Sequence, residues 1–268
     1  MSVYEVHALR YARHDRRAGE NFLGGDPHDG PMPMDYFVWL VRDASRTFVV
    51  DTGFNAEAAR RRGRELLRCP SAALKLIGVD AAAVQDVIVT HLHYDHIGNF
   101  DLFPAATFHL QEREMSFATG RHMGDPAQSG AYDVEAVVGM VREVYKGRVR
   151  FHDGDAEIAP GLSVHHIGGH TLGLQAVRVR TGRGDVVLAS DASHYYANML
   201  EKRPFHILYD VEEMIAGWER CCALADSADH VIPGHDPEVL LRYPPSGAGL
   251  EGIAARLDAS PRNRPGGL

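Results

Sequence analysis

Thr90-His91-Leu92-His93-Tyr94-Asp95-His96 is the stretch on which the reading of this chain turns. Four potential metal ligands fall within six residues, spaced His-x-His-x-Asp-His. The run follows Asp86-Val87-Ile88-Val89, a short β-branched segment bounded by polar residues, which predicts a buried strand. The ligand run therefore sits where a strand ends and a loop begins, the usual place for chemistry on a rigid scaffold. Imidazole and carboxylate suit zinc and similar divalent cations. Packed this closely inside a protein, such groups repel or stay unsatisfied unless something binds them. A polar loop that happens to carry three histidines is the plain alternative, and this spacing is far rarer than such a loop.

Working outward, three later segments share one form: a strand, then a polar residue on a tight turn. They are His166-Ile167-Gly168-Gly169-His170-Thr171-Leu172-Gly173, Ala189-Ser190-Asp191-Ala192 and Val231-Ile232-Pro233-Gly234-His235-Asp236. Paired glycines let the chain turn sharply enough to bring His170 inward. Each segment alone reads as an ordinary turn. Together, and in this order, they form a pattern.

Between these segments strands alternate with helices. Strands are expected at 3–10, 35–41, 47–51, 107–110, 149–151, 162–166, 174–179, 186–190 and 230–233, and helices at 56–68, 71–77, 111–118, 133–145 and 211–225, with a third short helix capped by Asp80. A long loop, 11–35, carries Phe22, Met32 and Met34, which either line a pocket or anchor the loop to the core. From residue 246 the chain turns Gly-, Pro- and Arg-rich, predicting a loose tail over 246–268 with one short helix at 250–257. No internal linker or repeat divides the 268 residues, so a single domain over 1–268 is expected. Two successive strand-and-helix halves suggest two facing sheets with helices outside.

Composition narrows the function classes. A net charge of −8 argues against a nucleic-acid surface. No apolar run approaches the ~18 residues of a membrane span. Cysteine occurs three times, as Cys69, Cys221 and Cys222, which is no disulfide framework. With no signal-like start at Met1-Ser2-Val3-Tyr4, a cytoplasmic setting is expected.

At this point the chain resembles the metallo-β-lactamase-fold hydrolases, from Asp51-Thr52-Gly53 to Pro233-Gly234-His235. The resemblance implies an α+β fold, a four-layer αββα sandwich, with two divalent metal ions at one edge of the sheets. Zinc is the first candidate, with iron, cobalt or manganese as alternatives. His91, His93 and His170 would hold one ion, Asp95, His96 and His235 the other, and Asp191 would bridge them. Metals so placed ionise water near neutral pH, and Asp95 could carry a proton to the leaving group.

Within the superfamily the chain is most similar to N-acyl-homoserine lactonases, on Asp51-Thr52-Gly53, His170-Thr171-x-Gly173 and Ser190-Asp191-Ala192-Ser193-His194-Tyr195-Tyr196. Those lactonases commonly place a tyrosine three residues after the bridging aspartate, donating to the substrate carbonyl. Here His194 stands there and Tyr195 follows, so either is the candidate donor. The implied reaction is hydrolytic opening of a small-molecule lactone, N-acyl-homoserine lactone first. A glyoxalase II-like thioesterase, a hydrolase of another cyclic ester or amide, and a non-catalytic binder on the same fold are the alternatives. Phe22, Met32, Met34, Phe54 and Met199 are candidates for the acyl pocket, while apolar residues near the N-terminal loop could instead serve a homodimer contact.

Overall fold

The computed structural model describes residues 2–262. Among them, eight strands form the first sheet: β1 (Glu5–His14), β2 (Met34–Arg42), β3 (Thr47–Val50), β4 (Glu65–Leu66), β5 (Asp86–Ile88), β6 (Thr107–Gln111), β7 (Val149–His152) and, late in the chain, β13 (Ala254–Arg256). Their order is β13-β1-β2-β3-β5-β6-β7, with β4 paired to β1. The second sheet comprises β8 (Ala156–Ala159), β9 (Leu162–His166), β10 (Gln175–Thr181), β11 (Gly184–Ser190) and β12 (Val231–Pro233), in the order β12-β11-β10-β9-β8.

The period of two in the strands decides what packs where. Along β2, Phe37, Trp39 and Val41 point one way and join Leu162, Val164, Val177, Val186 and Ile232 of the second sheet in a core between the sheets. Val38 and Leu40 point the other way, toward Leu74 of α2 (Pro70–Leu76), Phe117 of α4 (Glu112–Ala118) and Met140 of α6 (Val134–Tyr145). Behind the second sheet, Ala176, Val187 and Val231 pack with Cys221 of α8 (Val211–Leu224). Helix, sheet, sheet and helix thus form the four layers of an αββα sandwich. Each large apolar side chain withdrawn from water in these layers contributes roughly 1.5–3 kcal/mol.

Local chemistry sets the helix ends. The side chains of Asp133 and Asp210 accept from Glu135 N at 3.1 Å and Glu213 N at 2.9 Å, capping α6 and α8. Helix α1 (Ala56–Arg62) starts on Asn55, which accepts from Ala58 N, and stops at Gly63 with φ 65°. That stop makes it shorter than the expected 56–68. Asp80 caps a single 3-10 turn in place of a helix.

The C-terminal expectation is corrected. Residues 254–256 form no helix but add β13 antiparallel to β1, pairing Ala254 with Leu9 and Arg256 with His7. Leu257 N donates to Val6 O at 2.8 Å, so the segment after 246 covers a sheet edge rather than trailing loose. Residues 263–268 of the expected tail lie outside the described residues. Helices α7 (Tyr196–Glu201) and α9 (Glu238–Arg242) and strand β8 were not foreseen, nor were the short turns of helix at Arg121–Gly124 and α5 (Pro126–Ser129). The remaining helix, α3 (Tyr94–Ile97), begins inside the ligand run itself.

Parallel pairing of β3 with β5 and of β11 with β12 brings the C-terminal ends of all four strands to one edge. Asp51, His91, Asp191 and His235 follow those ends, and His170 lies in the connection between β9 and β10. Gly169, at φ 79°, makes that last connection possible, since a Cβ there would lie 2.5 Å from the Met214 backbone. Gly169→Ala should therefore destabilise the protein by roughly 2–5 kcal/mol, summing left-handed strain and overpacking. Gly182→Ala, where a Cβ meets nothing within 4 Å, should be nearly neutral. Urea unfolding of the two variants checks both.

Candidate metal centre

The seven residues singled out from separate parts of the chain converge. Ligand atoms of His91, His93, His170 and Asp191 lie within 4.8 Å of one another, as do those of Asp95, His96 and His235. Asp191 divides its carboxylate between the groups. Its Oδ2 is 3.2 Å from His170 Nε2 and 3.8 Å from His91 Nε2. Its Oδ1 is 3.0 Å from His235 Nε2 and 3.3 Å from His96 Nε2. Asp95 Oδ2 completes the second group, 3.8 Å from His235 Nε2. Ligands about 2.1 Å from a shared tetrahedral cation lie ~3.4 Å apart, so these spacings fit. His93 Nδ1 and His170 Nε2 approach to 2.9 Å, a separation that two acceptor nitrogens tolerate only with a proton or cation between them. Buried His91 Nε2, His96 Nε2 and Asp191 Oδ1 lack hydrogen-bond partners. Donor set, spacing and orphaned atoms all fit a pair of cations.

The ring nitrogens of His91, His96, His170 and His235 that face away from the cluster are tied down, which fixes how those imidazoles point. His170 Nδ1 meets Ile207 O at 2.8 Å, and His235 Nδ1 meets Asp35 O at 2.9 Å. His91 Nδ1 lies 3.1 Å from Thr90 Oγ1. His96 Nδ1 is 2.7 Å from Asp51 Oδ2, an oxygen that also accepts from the Thr90 hydroxyl at 2.8 Å. Asp51 Oδ1 takes the Thr90 N–H at 2.8 Å. Ser190 donates to Thr90 Oγ1 at 2.9 Å, linking the two sheets beside the cluster. Asp51 and Ser190 both hold positive φ, 61° and 49°, a strain that concentrates at functional sites.

A second buried carboxylate holds the loops. Glu114 accepts from Leu92 N at 2.9 Å, the Tyr132 hydroxyl at 2.9 Å, the Thr171 hydroxyl at 2.6 Å and Gly173 N at 3.2 Å. It fastens the loop of His91 and His93 to the loop of His170. Neither Glu114 nor Thr90 stood out in the sequence, and the Asp51 role was not read. Each carries a common residue type whose partners lie far along the chain.

Burial holds His91 and His93 well below the ordinary imidazole range, in the neutral form that a cation requires. Burial is the largest single influence on His96 and His235 and opposes their charge, but Asp191 together with Asp51 and Asp95 at His96, and with Asp95 at His235, outweighs it, and both are raised. Protons therefore compete with cations at the second group.

The cluster opens into a small cavity lined by Met34, Tyr36, Tyr94, Asp95, Phe205, Ile207 and three arginines, Arg16, Arg62 and Arg64. His194 lies at its floor, with Nε2 3.1 Å from Asp191 Oδ2 and its ring stacked on Phe205 at 3.7 Å between centroids. Burial pushes His194 down to about 3, so it stands neutral. Tyr195 turns away: its hydroxyl donates to Pro33 O at 3.4 Å, and its ring borders a separate hollow with Met32. Of the five pocket candidates, Met34 lines the cavity. Phe54 is fully buried behind it, in contact with Tyr36 and Tyr94 at 5.2 and 5.5 Å between centroids. Phe22 lies under the Arg203 guanidinium at 3.9 Å, and Met199 packs against the core around the second sheet. The apolar anchors of the loop thus serve packing, while the cavity wall is more basic and aromatic than expected.

Fold and centre together define a class: αββα sandwiches with a histidine–aspartate cluster at the edge where their paired sheets meet. The chain belongs to the metallo-β-lactamase superfamily, whose family model matches residues 32–242. Among curated relatives, an N-acyl homoserine lactonase of Bacillus sp is 30% identical over 133 residues, covering 49% of this chain and 48% of that protein. The N-acyl homoserine lactonase AttM of Azorhizobium caulinodans is 26% identical over 177 residues, covering 62% and 64%. The match thus spans about half to just under two thirds of these relatives' length. Among solved structures, a quorum-quenching N-acyl homoserine lactone lactonase superposes with a TM-score of 0.73 at 21% identity, over 88% of this chain and 93% of that one. AidC, described as a dizinc quorum-quenching lactonase in complex with a product, gives 0.70 at 16% identity, over 88% and 90%.

Removing the carboxylate behind His96 tests the anchoring. Asp51→Ala leaves three buried donors without an acceptor, and should cost about 3–5 kcal/mol of stability, as expected when a buried pair loses one partner. Urea unfolding reads the loss, and elemental analysis should find fewer than two cations per chain.

Proposed function

We propose that this protein is a dinuclear-metal hydrolase that opens lactone rings, with N-acyl homoserine lactone as the first substrate to assay. The observation that carries the reading is the division of the Asp191 carboxylate between two ligand groups. The comparisons support it, since both curated relatives are named N-acyl homoserine lactonases. Cations held there, zinc first among the candidates, supply Lewis acidity: they lower the pKa of water from ~15.7 toward ~7 and polarise an ester carbonyl.

The side chains do the rest. His194 Nδ1 is buried without a partner, unlike the tied Nδ1 atoms of His91, His96, His170 and His235. A ligand histidine would carry its proton on that Nδ1 and leave a buried donor unmet. The proton is better placed on Nε2, which lies 3.1 Å from Asp191 Oδ2 at the edge of the cavity and donates to a carbonyl oxygen set beside that carboxylate as charge develops on it. This argues for His194 as donor and against Tyr195. Asp95, at the cavity wall beside His235, relays a proton to the departing ring oxygen. Tyr36 and Tyr94 line the same wall and keep their phenolic protons, because burial lifts both above their ordinary range. A cytoplasmic setting is supported by three unpaired cysteines, and among the described residues no helix is long and apolar enough to cross a membrane.

Cation-loaded protein should acidify a weakly buffered N-acyl homoserine lactone solution and stop when a chelator strips it. Asp191→Ala should lower cation content below two per chain and turnover by at least about a thousandfold; full activity with two cations would sink the assignment. His194→Phe should keep both cations yet lose roughly 10²–10³ in kcat, the usual effect of deleting one donor to a developing oxyanion.

A further inference from the structure

Three arginines stand over the cavity without a direct carboxylate partner, and Asp95 on the same wall acts on Arg64 only through space. Arg16 Nε donates to Asn21 Oδ1 at 2.6 Å and its Nη2 to Glu20 O at 2.7 Å. Arg62 donates through Nη1 to Gly130 O at 2.9 Å and through Nη2 to Tyr132 O at 3.0 Å, with its guanidinium 3.9 Å over the Tyr94 ring. Arg64 Nε donates to the Tyr94 hydroxyl at 3.2 Å and its Nη1 to Arg62 O at 2.6 Å. These partners are carbonyls, an amide, a phenol and, 3.1 Å from Arg64 Nη1, the His14 imidazole. They orient the guanidiniums and leave the positive charge over.

Their sequence neighbours behave differently. Arg17 pairs with Asp29 at 2.7 Å, and Arg61 pairs with Asp133. Among the described residues, Arg16, Arg62 and Arg64 form no ion pair with a carboxylate. Arg62 and Arg64 are half-buried, and Arg62 Nε is fully enclosed without a partner. Desolvated cations beside a centre built for two more cations repel it and one another, unless an anion completes the set. Guanidinium forks match carboxylates in two-point geometry. The cavity, at about 100 Å³, is also small against the ~300–1,000 Å³ of sites that take drug-sized ligands.

We infer that these arginines form an anion subsite, and that the substrate is a compact lactone bearing a carboxylate beside the ring rather than a neutral lactone with a long acyl chain. The inference rests on the lactonase reading for its chemistry. The subsite itself rests on the arginines.

The test uses a matched pair, γ-carboxy-γ-butyrolactone and its neutral carboxamide, on cation-loaded protein. The acid should be opened with kcat/KM about tenfold or more above the amide, the scale of one charged hydrogen bond. Arg16→Gln and Arg64→Gln should pull that ratio toward one with cation content unchanged, and Arg64→Lys should restore part of it. Equal rates for acid and amide, or a preference untouched by both Gln variants, would overturn the inference and leave lactone opening standing. Calorimetry with tetrahydrofuran-2-carboxylate and its carboxamide, neither of which has an ester to open, reads the subsite separately. Tighter binding of the acid that needs Arg16 and Arg64 supports the subsite even where no lactone is turned over, in which case the lactonase reading falls alone.

Discussion

One carboxylate organises this molecule. Asp191 is 2% exposed, and imidazole nitrogens of His91, His96, His170, His194 and His235 all approach it. A buried anion ringed by imidazoles cannot rest on hydrophobic packing. Desolvation penalises it, and the rings present unshared nitrogens to one another. Positive charge in the middle, on the rings of His96 and His235 or on cations held there, offsets that penalty. Much of the surrounding structure serves to hold these ligand groups in place.

The restraints are specific. Strand ends that would otherwise fray are pinned by Asp51, Thr90 and Ser190, with left-handed backbone at two of the three. Carbonyls of Asp35 and Ile207 hold two imidazoles from behind, and Glu114 locks the remaining loops together. Close approach of backbone is part of the same device: a Cβ at Gly234 would lie 2.7 Å from Asp191 Oδ1. The strands that carry these restraints are anchored by the two apolar layers either side of the first sheet, where the large side chains are fully enclosed.

The sequence was legible wherever a local rule operates. Strand β5 and the His-x-His-x-Asp-His run show their period and spacing directly, and Gly168-Gly169 announces the turn before His170. It was illegible where a partner far along the chain decides. Ala254-Ala255-Arg256 has helical propensity, yet the open edge of β1 captures it as a strand. His194 and Tyr195 are adjacent, and only the start of α7 and the carbonyl of Pro33 determine which faces the cluster. Phe22 and Met199 are apolar and near in space to functional segments, but the side-chain directions that send them into packing have no signature in one dimension.

The arginines are the sharper case. Arg60-Arg61-Arg62-Gly63-Arg64 reads as a solvated helix face, and for Arg61 the pairing with Asp133 bears this out. Gly63 then ends the helix in a left-handed turn, and Arg64 runs back toward β4. That turn sets Arg62 over the Tyr94 ring and Arg64 on its hydroxyl, at the cavity wall. Arg16 reaches the same wall because Asn21, itself buried, holds its guanidinium from a loop 5 residues on. A centre of histidines and aspartates can serve many hydrolytic reactions on one fold, since it recognises a carbonyl or phosphoryl oxygen and little else. Discrimination must come from the wall. Here three arginines stand among the apolar and aromatic residues of that wall, so the feature least visible in the sequence bears most on which molecule the wall would select.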